Sequence, residues 1–188
     1  MIKGTLQVDR QHRRRKLGAG AFGAAYATSI PGVVIKVSWY NDDGFRTYIE
    51  WLNKKRVKSS ARPIMFPATA TKALLDSFWH PYAYSAAVFV GEKLVESDKV
   101  IRRFKDFRQL ERALDSLAED EKIDIDYEED FHAICKKYKI KNREDAFKLL
   151  RKLSRHGLAS DMHMGNVMFR EVRGGWEMVI TDPCADAD

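Results

Sequence analysis

The spacing of apolar residues changes about halfway along the chain, and this change limits the possible folds more than any other feature of the sequence. Up to Val90, short apolar and β-branched runs separated by glycine and proline predict strands. Beyond Ile101, apolar residues recur every three or four positions, which is typical of amphipathic helices. Strands gathered in one half and helices in the other are typical of an α+β fold.

The predicted elements form one domain of two small lobes. The strands are residues 16–17, 24–28, 33–38, 71–79 and 84–90, and the first helix is 45–55. Later helices are predicted at 101–118, at 130–138, and from a cap at Asn142 to about 156. Phe104 belongs to the apolar stripe of the first of these helices. A hairpin of strands 166–170 and 176–181 follows. The N-terminal lobe would cover about 1–92 and the C-terminal lobe about 93–188.

A glycine-rich segment joins the first two predicted strands. It reads Gly-Ala-Gly-Ala-Phe-Gly, and Gly18, Gly20, Phe22 and Gly23 are candidate ligand-contacting residues. Glycines let the backbone adopt positive φ and approach a phosphate closely, so that backbone N–H groups can cover the anion. The glycines alone are weak evidence, but a Rossmann-type turn would lead into a helix rather than a strand.

Lys36 interrupts the apolar run of the third predicted strand. Burial of its ammonium group would be costly unless an anion compensates the charge. One interpretation is an edge position from which the side chain reaches solvent. The other is a contact with the α- and β-phosphates of ATP, with Glu50 on the following helix as the carboxylate that positions the lysine.

Three polar residues near the end of the sequence complete the pattern. Asp161 and Asn166 lie on a predicted loop, and Asp182 follows the last predicted strand. Polar residues in loops are often only turn formers, but this spacing after a strand lysine is typical of phosphoryl transfer. We expect Asp161 to orient the acceptor hydroxyl and to accept its proton, and Asn166 and Asp182 to bind Mg²⁺. His163 could be a metal ligand, a hydrogen-bonding residue of the loop or a packed residue.

In this order the segments resemble the protein-kinase-like superfamily over nearly the whole chain, and within it the early serine/threonine protein kinases of T-seven-like podophages. Residues 17–26, 34–37, 161–169 and 180–183 carry the likeness. The resemblance implies a minimal two-lobe kinase fold: a five-stranded antiparallel N-terminal lobe with one helix, and a reduced helical C-terminal lobe with a short hairpin. It also implies ATP and Mg²⁺ as cofactors, and serine or threonine of host transcription, translation or RNA-processing proteins as acceptors. Family members carry a further region linked to host transcription shutoff, which this sequence does not contain.

Departures from ordinary protein kinases keep other functions open. Ala159-Ser160 stand where His-Arg precedes the catalytic aspartate, and Pro183-Cys184 stand where Phe-Gly follows the metal-binding one. The sequence ends six residues after Asp182, so we expect no activation segment and no control through one. A nucleotide-binding pseudokinase that inhibits a host protein is one alternative. A small-molecule kinase acting on an aminoglycoside or a choline-like alcohol is another.

Charge and cysteine content bear on partners and compartment. The formal net charge is +6, with basic clusters at 13–16, 54–58, 102–105 and 136–141. These clusters would attract polyanions, but no zinc-finger spacing or interleaved aromatic residue supports nucleic-acid binding beyond the charge itself. Two distant cysteines, Cys135 and Cys184, favour a reducing compartment. No apolar run approaches the length of a membrane span, so we expect no membrane partner. Together with the cysteines this favours a cytoplasmic protein, and the resemblance to the phage kinases implies the cytoplasm of an infected bacterium.

Overall fold

The structure is a computed structural model that describes residues 16–19, 23–28, 30–38, 43–65, 85–90, 94–119 and 125–184. Within these ranges the chain is an α+β protein with two antiparallel sheets, of four and three strands. The predicted strand at 71–79 lies outside the described residues. The four-stranded sheet belongs to the first half of the chain, and the three-stranded sheet and most helices belong to the second.

The larger sheet is a simple meander. It consists of β1 (Lys16–Ala19), β2 (Gly23–Ala27), β3 (Val33–Ser38) and β4 (Ser85–Val90), in that spatial order. Alternate residues of a strand point to opposite faces. One face of the sheet buries a small apolar core made of Ala24, Val33, Ile35, Val37 and Val88. The opposite face of β3 carries Val34 and Lys36, which are half-buried.

The smaller sheet pairs strands that are distant in sequence. Its strands are β5 (Leu94–Glu96), β6 (Val167–Val172) and β7 (Gly175–Ile180), in the order β5-β6-β7. The β6–β7 hairpin confirms the predicted one, and its turn requires Gly174, whose φ is +77°. β5 was not predicted, because three residues are too few to show a strand pattern and their partner lies some 70 residues later.

Five helices lie within the described ranges. They are α1 (Asp43–Lys54), α2 (Ser97–Val100), α3 (Phe104–Glu119), α4 (Ile125–Lys137) and α5 (Arg143–Ser154). The buried side chains of α1, α3, α4 and α5 form one large apolar cluster with the inner faces of β6 and β7. Among these residues, no helix combines the length and apolar character that crossing a bilayer would require.

The first helix packs against both halves of the chain. Tyr48, Trp51 and Leu52 of α1 belong to the large cluster, and the Tyr48 hydroxyl donates a hydrogen bond of 2.9 Å to the Ile180 carbonyl on β7. Contact with the larger sheet includes the rings of Phe45 and Phe89, whose centroids are 6.3 Å apart. The sequence predicted α1 as part of the N-terminal lobe, whereas its packing makes it a bridge between the two halves.

Two side-chain predictions in the helical half need correction. Asn142 stands at the N-cap position of α5, as predicted, but its side chain makes no capping hydrogen bond. Its amide instead accepts from the Met178 N–H (2.8 Å) and donates to the Met178 carbonyl (2.9 Å), which ties the start of α5 to β7. Phe104 was placed in the apolar stripe of its helix, but its side chain is 74% exposed, because it precedes the first turn that packs on the core.

Gly23 permits the close approach of β2 to β3. A Cβ atom at this position would lie 2.3 Å from the Val37 carbonyl oxygen, which is shorter than any real contact of this kind. We therefore expect Gly23→Ala to lower the free energy of unfolding by about 2 kcal/mol, a common cost of overpacking, as measured by urea denaturation. Gly18→Ala is the matched control, since its Cβ would meet no atom within 4 Å. Equal stability of the two variants would contradict this account.

Candidate functional site

Lys36 reaches from the middle of β3 to the end of β7. Its ammonium group pairs with Asp182 Oδ2 and lies 4.1 Å from the centroid of the Phe45 ring. The Lys36 side chain is 25% exposed, so the ammonium is held in a partly desolvated position rather than in open solvent. The edge interpretation of Lys36 was therefore wrong, since β3 is an inner strand of its sheet and its lysine faces a carboxylate.

Only one of the two carboxylate oxygens of Asp182 has a hydrogen-bond partner among the described residues. Oδ2 accepts from Lys36, whereas Oδ1 is buried and has no hydrogen-bond partner among the described residues. Burial raises the pKa of Asp182 above its usual range, against the opposing attraction of Lys36, and the nearby Asp161 raises it further. Buried polar atoms are normally hydrogen-bonded, so an exception calls for an explanation such as an ion or a ligand.

The loop between α5 and β6 is fixed against the segment that follows β7. The Asp161 N–H donates to the Pro183 carbonyl at 3.0 Å. The Asn166 side-chain amide donates to both the carbonyl (2.8 Å) and the carboxylate (2.9 Å) of Asp161. The N–H and the hydroxyl of Thr181 both donate to the Asn166 carbonyl, each at 2.9 Å. The structure therefore brings together the three residues that the sequence singled out at 161, 166 and 182.

His163 orders this loop by hydrogen bonding. Its Nδ1 accepts from the Gly165 N–H at 3.0 Å, and its Nε2 lies 3.0 Å from the side-chain nitrogen of Asn166. Nε2 lies 3.6 Å from Asp161 Oδ2, and the side chain is 51% exposed. Of the three interpretations open from the sequence, the packed residue was wrong. In the described ranges, no three histidine, cysteine or acidic side chains group in a way that could hold a metal by themselves.

Gly18, Gly23 and Glu50 belong to other elements than the loop and the strand end just described. Gly18 lies in β1 and Gly23 in β2, whereas Gly20 and Phe22 lie outside the described residues. Glu50 is exposed on α1, and among the described residues no ion pair joins it to Lys36. The carboxylate that holds the lysine here is Asp182, so the predicted Lys36–Glu50 pair is not formed.

A cavity of about 530 Å³ opens beside Lys36, between the two sheets. Its volume is in the range of small-molecule sites. One wall comes from the larger sheet, including Leu17, Gly18 and Val34, and the other comes from the smaller sheet, including Met168 and Thr181. The complete lining is Leu17, Gly18, Ala25, Val34, Lys36, Pro63, Ile64, Phe89, Leu94, Glu96, Met168, Arg170, Val179 and Thr181.

The sequence did not predict the cavity wall that the smaller sheet forms. Met168 and Arg170 alternate with the buried Val167 and Phe169 along β6, so the alternation itself could have shown which side chains face away from the core. Arg170 donates to Glu177 at 2.8 Å and to the Ser60 carbonyl at 3.1 Å. Nothing in the sequence indicated that the face of β6 carrying Met168 would lie opposite β1 and β3.

Comparison with known proteins adds no assignment: no family model, no curated protein and no solved structure matches this chain. What the site can do follows from its chemistry. Apolar side chains on two opposite walls suit a flat, weakly polar group. Lys36 lines the cavity and pairs with Asp182, close to Asp161 and Asn166. This lysine, the two carboxylates and the amide suit a multiply charged group that includes both phosphate and a cation.

Proposed function

We propose that the protein binds ATP with Mg²⁺ and transfers the γ-phosphoryl group to a serine or threonine hydroxyl of another protein. One observation carries the proposal: Asp182 Oδ1 is buried and has no hydrogen-bond partner among the described residues, while Lys36, which pairs with Oδ2, and the adjacent Thr181 line an apolar cavity. A carboxylate oxygen that is buried without a hydrogen-bond partner is suited to bind a cation, such as the Mg²⁺ ion that accompanies ATP. The adjoining Asp161 and Asn166 supply the remaining groups that phosphoryl transfer needs.

The oxygen atoms available in the site fit Mg²⁺. This ion prefers one or two protein oxygens and completes its octahedron with water and substrate phosphates. Asp182 Oδ1 is free of hydrogen bonds among the described residues, and the Asn166 amide directs its N–H groups toward Asp161. Asp182 and Asn166 would hold the ion, which would neutralise charge on the β- and γ-phosphates.

Lys36 and the cavity walls would position the nucleotide. Val34, Leu17 and Met168 line both sides of the space that a purine would enter. Lys36 would then contact the phosphates, since a flexible ammonium can exchange one oxygen partner for another. Because the cavity is largely apolar, these charge interactions would be stronger than they are in water.

Asp161 would act on the acceptor. Its carboxylate, fixed by Asn166 and the loop, would hydrogen-bond the incoming hydroxyl and direct its oxygen at the γ-phosphorus. The new O–P bond would form as the bond from the γ-phosphorus to the β,γ-bridging oxygen breaks. The hydroxyl proton would pass to Asp161, and ADP would leave. Placement matters more here than intrinsic basicity.

A protein acceptor is proposed from the resemblance to the phage kinases, together with the open side of the cluster. His163 and Asp161 are about half exposed, at 51% and 43%. A hydroxyl on the surface of a large partner could therefore reach Asp161 without entering a closed pocket.

Transfer of label from γ-labelled ATP tests this function. Wild-type protein, Lys36→Ala and the matched control Lys58→Ala are incubated with Mg²⁺ and a bacterial lysate. Lys58 is exposed and forms no ion pair with a described residue, so its loss removes one lysine charge away from the site. We expect wild type and Lys58→Ala to label protein bands on serine or threonine. Lys36→Ala should lower the rate by about 10²- to 10³-fold, as is typical for loss of one charge-stabilising group.

Other outcomes would decide against the proposal. Equal labelling by Lys36→Ala would show that the site described here is not the one that reacts. ATP binding without any labelled product would indicate a binding module, and label on small alcohols alone would indicate a small-molecule kinase.

A further inference from the structure

Phe104 is the most exposed large apolar side chain of the described chain, and it lies among cations. Its side chain is 74% exposed, and Arg102, Arg103 and Lys105 on either side of it are exposed as well. The periodic spacing had assigned Phe104 to the buried stripe of α3, so the cluster at 102–105 was taken to lack an interleaved aromatic residue. The exposure of the ring corrects that interpretation and removes the reason for which nucleic-acid binding rested on charge alone.

A second basic segment is held next to the first. The carboxylate of Asp106, in the first turn of α3, accepts from Lys137 Nζ and from the Tyr138 hydroxyl, each at 2.6 Å. These bonds hold the end of α4 against the start of α3, and they lower the pKa of Asp106. The exposed Lys136 and Lys139 flank the clamped pair. We name the exposed residues of both segments the Phe104 surface: Arg102, Arg103, Phe104, Lys105, Lys136 and Lys139.

Local electrostatics explains only part of this arrangement. Cations are favourable at the C-terminus of a helix and unfavourable at its N-terminus. Lys136 and Lys139 therefore suit the end of α4, and Arg102 suits the end of the short α2, but Arg103 and Lys105 stand at the wrong end of α3. None of the five cations of the Phe104 surface has an ion pair with a described acidic residue, although Arg102 Nε donates to the Lys99 carbonyl at 3.1 Å.

We propose that the Phe104 surface binds single-stranded nucleic acid. The cations would contact successive phosphates, and an unpaired base would stack on the Phe104 ring, which Arg108 approaches on one side with its guanidinium carbon 5.3 Å from the centroid. An acidic peptide would match the charges but would leave the ring without a partner. No residue of the Phe104 surface lines the cavity, so this inference does not depend on phosphoryl transfer.

Fluorescence anisotropy with labelled single-stranded oligonucleotides, one of RNA and one of DNA, tests the inference on the intact protein. Phe104→Ala should weaken binding about tenfold, within the range for losing one stacked base. Arg102→Glu with Arg103→Glu should weaken it further and reduce the slope of log K against log salt concentration by about 1.4, the value for two single-strand phosphates. The matched control is Lys54→Glu with Lys55→Glu, the same charge reversal at two exposed lysines of α1 and the turn after it.

Each outcome decides one way. Selective loss in the Phe104 and arginine variants supports the inference, and the tighter of the two oligonucleotides identifies RNA or DNA as the ligand. Equal loss in the lysine control would mean diffuse charge attraction and would overturn it. Unchanged affinity of the Phe104→Ala variant for the oligonucleotides would also overturn the inference. A polyglutamate peptide that binds the wild type as tightly as either oligonucleotide does would overturn it too. Because all substituted side chains are exposed, circular dichroism should report an unchanged fold.

Discussion

Asp182→Asn is expected to reduce the rate of phosphoryl transfer by at least about 10³-fold, because it removes the carboxylate proposed to bind the metal. An amide in this place keeps the shape of the side chain but offers Mg²⁺ one neutral oxygen. Rates are measured with saturating ATP and Mg²⁺. Asp115→Asn makes the same chemical change at an exposed position of α3 and should leave the rate unchanged.

The same substitution should not destabilise the folded protein at neutral pH. Burial raises the pKa of Asp182 above 3.8, so the folded state binds this proton more tightly than the unfolded state does. The contribution of Asp182 to stability therefore falls as the pH rises from 3.8 through the raised pKa, and the ionised form is unfavourable above that window. Asp182→Asn removes this dependence, and its free energy of unfolding at pH 7 should equal or exceed that of the wild type.

Urea denaturation at a series of pH values separates the two effects of Asp182→Asn. If the variant is inactive and its stability is unchanged or higher, the Asp182 carboxylate serves the reaction and lowers the stability of the folded protein. An inactive variant that is much less stable would mean that the Lys36–Asp182 pair is structural. A fully active variant would falsify the metal-binding role.

Asp161→Asn should lower kcat by about 10²- to 10⁴-fold, the range for losing a general base, with little change in KM for ATP. Asp161 does not line the cavity, so nucleotide binding should persist. The side-chain oxygen of asparagine can still accept from the Asn166 amide, which keeps the loop hydrogen bond now made by the carboxylate. The variant therefore removes proton acceptance while preserving the loop.

Steady-state kinetics at varied ATP concentration, with Asp115→Asn again as control, distinguishes this role from a structural one. A fall in kcat with constant KM supports proton acceptance and placement by Asp161. A large rise in KM with kcat unchanged would instead assign Asp161 to nucleotide binding. Full activity would remove it from the mechanism.

The sequence was sufficient for elements whose pattern is local. β3 was predicted with its observed bounds because its β-branched residues alternate over one buried face, and the β6–β7 hairpin followed from its glycine turn. The meeting of Asp161, Asn166 and Asp182 was also predicted, because the loop and the strand end flank one hairpin. Their catalytic roles stay predictions.

Other features depend on contacts that local patterns do not encode. β5 exists because β6 lies beside it. The partner of Lys36 was wrong because α1 turns Tyr48, rather than Glu50, toward β7. Phe104 was misplaced because periodic spacing does not show where along a helix the packed face begins. Each error concerns a residue whose surroundings are decided by a segment far away in the chain.

The unequal division of the core has a further consequence for how the cleft behaves. Among the described residues, the sheet that carries Gly18 and Lys36 rests on a small apolar core, whereas α1 and the β6–β7 hairpin share the large one. Cooperative units with few buried contacts open at lower free energy than the rest of a protein. We therefore expect the cavity wall formed by the larger sheet to open more readily than the wall formed by the smaller sheet. A ligand that contacts both walls would supply packing to the larger sheet. Affinity and local order would rise together, and the proposed nucleotide would then act as a removable part of the protein interior.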